Sequence, residues 1–156
     1  MRDRQTRWLR GAAASFVLVA AAAGAVVAAA PAAGTAAAKL TVRSSEYGKT
    51  LFGPSGKVVY VFGADHGSTS RCYGVCSAAW PPLLTTAAPV AGPGVEAQLL
   101  GTTKRKDGKL QVTYKGHPLY TFLADKTAGQ TSGEGSKNFG AAWYALAPSG
   151  ATIDRD

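Results

Sequence analysis

Two cysteines, two histidines and a pair of aspartates hold most of the chemistry that this 156-residue chain could do. Cys72 and Cys76 are separated by Tyr73, Gly74 and Val75. In an oxidising compartment such a pair closes as a disulfide. The loop is short, so the expected entropic gain is modest, about 2 kcal/mol. A second chemistry adds His66, six residues before Cys72. His66, Cys72 and Cys76 then offer one imidazole and two thiolates, a set that suits copper or zinc. A third is thiol–disulfide exchange, although C-x3-C is not the C-x-x-C spacing of that chemistry. The disulfide is the leading expectation, and the other two stay open.

Asp65 and Asp125 end two similar segments, Tyr60-x-Phe62-x-x-Asp65 and Tyr120-x-Phe122-x-x-Asp125. Side chains alternate along a strand, so Tyr-x-Phe places both rings on one face. The aspartate follows where the strand should end, and a short carboxylate there can accept backbone N–H bonds and fix the turn. A competing reading has the two aspartates framing a cation or a polar ligand. Calcium wants more oxygen ligands than lie nearby in sequence. Paired carboxylates also serve glycoside hydrolysis. No G-x-S-x-G, H-E-x-x-H, P-loop or dinucleotide fingerprint accompanies them, so no catalytic residue and no enzyme are expected. His117 lies in a turn between Gly116 and Pro118 and is expected at the surface.

The elements that carry these residues are repeated. Residues 56–65 laid over 116–125 agree at five of ten positions, Gly, Tyr, Phe, Ala and Asp. Each copy then runs through Gly-, Ser- and Thr-rich chain to a tryptophan, Trp80 or Trp143. Two repeats are too few for an open solenoid, so the copies should pair and share one core. The local signals are β. Residues 58–62 and 118–122 are short runs rich in aromatic and aliphatic side chains. Asp107-Gly108 is a hairpin turn joining strands over 102–106 and 109–114. Leu110, Val112 and Tyr114 alternate with Gln111, Thr113 and Lys115, the pattern of a half-buried strand. The second repeat thus reads as a three-stranded meander. The first has the same plan, with strands at 51–52 and 58–62 and an extra one at 40–43. Residues 87–100 form a Pro- and Gly-containing linker with a short helical turn over 96–100. The expected fold is all-β, two homologous β-meander repeats (about 46–86 and 98–147) pairing into one small sandwich or barrel-like domain over 39–156. Trp80 and Trp143 should close its core, the alternative being exposed rings that bind sugars or peptides.

Arg2, Arg4, Arg7 and Arg10 precede an uncharged, Ala-rich stretch that ends in Ala36-Ala37-Ala38. This is the pattern of a secretory signal peptide over 1–38, cleaved before Lys39. An uncleaved anchor is the alternative. A lipid anchor needs a cysteine at the new N-terminus, and none stands there, so none is expected. The chain carries 17 Lys and Arg against 9 Asp and Glu. Its basic run, Lys104-Arg105-Lys106, reads as a solvated edge strand guarded against aggregation. No aromatic interleaving accompanies it, so nucleic acid is not an expected partner. The length excludes a large multidomain enzyme, and two cysteines exclude a disulfide-dense mini-protein.

At these residues the chain resembles the bacterial secreted-repeat proteins of unknown function, often described as predicted lipoproteins with a Tyr-x-(Phe/Trp/Tyr)-x-x-Asp motif. Both copies are present. The family's C-x-G-x-C…W-P-P-L signature resembles Cys72 to Cys76 and Trp80-Pro81-Pro82-Leu83. Its Arg-x-Asp-Gly…Tyr-x-Gly-x-Pro-Leu-Tyr pattern is similar to Arg105 to Gly108 and Tyr114 to Tyr120. The similarity spans about 46–147. It implies export and a two-repeat architecture, and it brings no activity or cofactor. Many members are lipid-anchored, whereas this chain lacks the cysteine. The expectation is an exported, non-enzymatic envelope or secreted protein, a binding or structural module for an envelope protein or polysaccharide. The alternative is an extracytoplasmic metal-binding or redox protein using Cys72, Cys76 and His66.

Overall fold

The computed structural model describes residues 37–154. The expected signal peptide lies outside the described residues except for its last two. No helix among the described residues is long and apolar enough to cross a membrane.

The chain opens with a hairpin of β1 (Lys39–Ser45) and β2 (Gly48–Phe52), in register from Thr41↔Phe52 to Ser45↔Gly48. β3 (Tyr60–Phe62) follows, then a helix, α1 (Val75–Ala79), and the short β4 (Leu84–Thr85) and β5 (Val90–Ala91). A 3-10 turn at Ala97–Leu99 leads into a second hairpin, β6 (Leu100–Lys104) and β7 (Leu110–Tyr114). Its turn is the expected Asp107-Gly108, with Gly108 at φ 81, a conformation that costs glycine nothing. β8 (His117–Pro118) and β9 (Trp143–Ala145) complete the set.

The two repeats use the same backbone bonds. Leu51 N–H donates to Leu146 O, and Val59 N–H donates to Leu51 O. In the other repeat Val112 N–H donates to Leu83 O, and Leu119 N–H donates to Val112 O. Each repeat therefore lends its post-tryptophan segment to its neighbour. β9 of the second repeat pairs with β3 of the first, from Tyr60↔Ala145 to Phe62↔Trp143. Thr121 N–H and Leu123 N–H of the second repeat donate to Pro81 O and Ala79 O of the first. The architecture is all-β with one short helix, and the copies are interlaced rather than set side by side.

This interlacing buries both faces of the central strand. Val58, Tyr60 and Phe62 point into an aromatic cluster with Trp80, Tyr120 and Trp143. Val59 and Val61 point the other way, among Leu40, Leu51, Val112, Leu119 and Leu146. A run of five apolar residues is what a strand buried on two faces requires. The sheets are small and do not close, so the sandwich-like form of the expected fold applies.

Two expectations change. β7 is not half-buried: Gln111 and Val112 are fully enclosed, and Leu110 faces solvent. The polar face is buried because Gln111 is satisfied there, donating from Nε2 to Leu119 O at 2.8 Å. Helix α1 carries no sequence signal of its own either: Cys76 is its second residue, and the bridge to Cys72 holds the segment in place.

Candidate functional site: a crossed pair of tyrosines and aspartates

The motif tyrosines meet where the repeats interlace. Tyr60 N–H donates to Tyr120 O, and Tyr120 N–H donates to Tyr60 O, both at 2.9 Å. Their side chains then cross. Tyr60 Oη donates to Asp125 Oδ2 at 2.7 Å, and Tyr120 Oη donates to Asp65 Oδ2 at 2.8 Å. The tyrosine of each motif serves the aspartate of the other. The expected turn role also holds. Asp65 Oδ1 accepts Arg71 N–H at 2.8 Å, and Asp125 Oδ1 accepts Ser132 N–H at 3.1 Å and the Ser132 hydroxyl. Each carboxylate thus fixes its own loop and the opposite repeat.

The rings form a column. Phe62 stacks on Trp143, Trp143 on Trp80 and Trp80 on Phe122, with centroids 4.1, 3.9 and 4.1 Å apart. Tyr60 meets Trp80 edge-on at 5.3 Å, and Tyr120 meets Trp143 edge-on at 5.2 Å. Both tryptophans are fully enclosed, so they close the core as expected. Gly133 is forced by this packing, because a Cβ there would lie 2.6 Å from Trp80 Cη2.

The two crossed pairs differ in surroundings. Asp125 is fully buried, whereas Asp65 is half-buried. Burial pushes the Asp65 carboxyl above its ordinary value, and the Arg71 N–H, the Tyr120 hydroxyl, Arg105 and His117 pull it back. Burial also raises both phenols, and the facing carboxylates add to it.

Arg105 departs from the sequence expectation. The basic run reads as a solvated edge, yet of its three residues only Lys104 and Lys106 are exposed. Arg105 is enclosed, with Nη1 donating to Ser70 Oγ at 2.9 Å and to Gln111 Oε1 at 2.6 Å, and Nη2 donating to Cys72 O at 2.8 Å. Its guanidinium covers the Tyr73 ring at 4.3 Å, and Ser70 Oγ lies 2.7 Å from the Tyr120 hydroxyl. An arginine fork suits this set of acceptors. The available signal was the Arg-x-Asp-Gly pattern together with β7, since Arg105 falls on the Gln111 face of the hairpin.

Cys72 and Cys76 are joined as a disulfide, and both are buried. The bridge consumes both thiolates that the His66, Cys72 and Cys76 ligand set would need. His66 is exposed, its backbone bridged to Thr69, and His117 is exposed as expected. Among the described residues no group of three or more His, Cys, Asp or Glu is placed to hold a metal ion. A shallow apolar hollow of about 250 Å³ opens at the Phe122 end of the column, lined by Ala79, Phe122, Leu123, Ala124 and Lys126.

A family model described as a secreted repeat of unknown function matches residues 41–84 and 101–147. Together the matches cover more than half of the chain, and the chain belongs to this family of secreted repeats. The matched boundaries start earlier in the first repeat and later in the second than the expected 46–86 and 98–147. Each match contains one motif and one tryptophan of the column. No curated protein and no solved structure matches the chain.

Proposed function

We propose that this chain is an exported, non-enzymatic module, freed before Lys39 and carrying no lipid anchor, that acts outside the cytoplasm as a binding or structural domain. The observation that supports this reading is the crossed tyrosine–aspartate pair. Both motif carboxylates, the best acid–base candidates in the sequence, spend their oxygens on the opposite repeat and on their own loops. A carboxylate held this way organises the fold and has little left for a substrate. The partner class that fits is an envelope protein or polysaccharide, meeting the surface at the Phe122 hollow, where an exposed Leu123 lies beside Lys126.

The test is the mass of the protein recovered outside expressing cells, native and after denaturation with a thiol-blocking reagent. The expected mass begins at Lys39, lacks two hydrogens and takes up no label. A retained leader would overturn cleavage before Lys39, and protein found only inside the cells would overturn the export reading. Two labelled thiols with metal lost on denaturation would overturn the structural disulfide and restore the copper or zinc alternative.

A further inference from the structure

The aromatic column has features that bulk packing does not require. Neutral aromatic rings prefer offset or edge-on contacts. The Trp80 and Trp143 indoles lie parallel and close, with centroids 3.9 Å apart at 3°. Close overlap of that kind favours a ring pair that has lost one electron, because the positive hole spreads over both rings. Each indole also has a phenol edge-on to it, and each phenol already donates to a carboxylate. A phenol that loses an electron becomes a strong acid, so its oxidation is easiest where a base already holds the proton. The indoles and the phenol rings are closed to solvent, which keeps a radical from coupling with another molecule.

We propose that this column is a one-electron donor to oxygen-centred radicals outside the cytoplasm. A peroxyl radical takes one electron from the column and becomes a peroxide anion, which water protonates. The hole rests on the Trp80–Trp143 pair. Trp80 Nε1 has no acceptor among the described residues, so a Trp80 radical cation keeps its proton and passes the hole on. The hole settles on Tyr120. The Tyr120 O–H bond breaks, the proton passes to Asp65 Oδ2, and a neutral phenoxyl remains. Asp65 is only partly buried and hands the proton to solvent. Asp125 is fully enclosed, so a proton given up by Tyr60 returns to it. Tyr120 is therefore the net donor, and Tyr60 is a reversible stop. The reaction is stoichiometric, with one oxidant reduced per phenoxyl formed.

Pulse radiolysis of the mature protein tests this, with azide radical as the oxidant that reaches indoles and phenols. After cleavage Trp80 and Trp143 are the only tryptophans, so the indole radical signal reports the column alone. The expected course is an indole radical that converts to a phenoxyl living several-fold longer than that of free tyrosine amide. The conversion slows several-fold in heavy water. Tyr120→Phe loses most of the phenoxyl, and Tyr60→Phe keeps it. Near-ultraviolet circular dichroism checks that each variant still packs its column. Should Tyr120→Phe fail that check, Asp65→Asn keeps every ring and removes the base, and a several-fold slower conversion is expected. An unchanged rate in Asp65→Asn overturns the proposal. So does an equal phenoxyl yield in the Tyr60→Phe, Tyr120→Phe double variant, which would place the oxidation on Tyr47, Tyr73, Tyr114 or Tyr144. A peroxyl radical source must then consume the wild-type phenol faster than that of the double variant, and equal rates overturn the chemistry.

Discussion

The loop after Asp65 and the loop after Asp125 do the same job by different means. Both run from a motif aspartate to a tryptophan that crosses into the other repeat. The first is pinned by the Cys72–Cys76 bridge, by α1 and by Arg105, which reaches in to Ser70 and Cys72 O. The second has no cysteine. It lies tight against Trp80 through Gly133, and Thr131 donates to Glu46. A buried cation supports one loop and a carboxylate the other. The crossed hydrogen bonds and the ring column are common to both. The repeat therefore fixes the ring-and-carboxylate cross-link and leaves the means of holding the loop free to differ.

The largest effect should come from the shared part. Trp143→Ala removes the middle of the column and should cost about 3–5 kcal/mol, with Trp80→Ala similar. Urea unfolding checks this, and a clear difference between the two would break the equivalence of the repeats. The crossed pairs come next. Tyr60→Phe leaves a fully buried carboxylate short of its donor and should cost about 2–3 kcal/mol, against about 1–2 for Tyr120→Phe, whose partner Asp65 is only partly buried. Equal costs would mean that burial does not separate the pairs. The loop supports follow. Arg105→Gln and Cys72→Ser with Cys76→Ser should each cost about 2 kcal/mol, while Lys106→Ala should stay within about 0.5 kcal/mol. A neutral Arg105→Gln would return that residue to the solvated run in which the sequence placed it.

The smallest effect concerns pH. Tyr60 and Tyr120 have folded values raised above the ordinary 10.0. The native state keeps protons that the unfolded chain releases. The stabilisation is complete below that value and is lost as pH rises through and beyond it. A melting temperature that falls above pH 10, and falls less in Tyr60→Phe, is the expected result. A flat alkaline profile would place both phenols in solvent-like surroundings.

Much of the fold was legible because its signals are local. Asp107-Gly108 announced a hairpin through turn chemistry, and the repeat at residues 56–65 and 116–125 announced two copies of one unit. The motif aspartates as loop anchors followed from carboxylate geometry within a few residues. The burial of Gln111 and Arg105 is not legible in the sequence because it depends on Leu119 O across a strand pairing and on Ser70 and Cys72 O in the other repeat, which no periodicity reports.

The sequence by itself determined the hairpin turn, the paired motifs and the strands that carry them, since each rests on neighbours within a few residues, while the choice of a disulfide over a metal at Cys72 and Cys76 came with the structure. Only the tertiary structure decided which tyrosine serves which aspartate. A repeat that pairs within itself and one that crosses to its twin have the same local pattern. The crossing is chosen because the exchanged tryptophans stack only when the copies interlace, and the phenols then reach the opposite carboxylates at 2.7 and 2.8 Å.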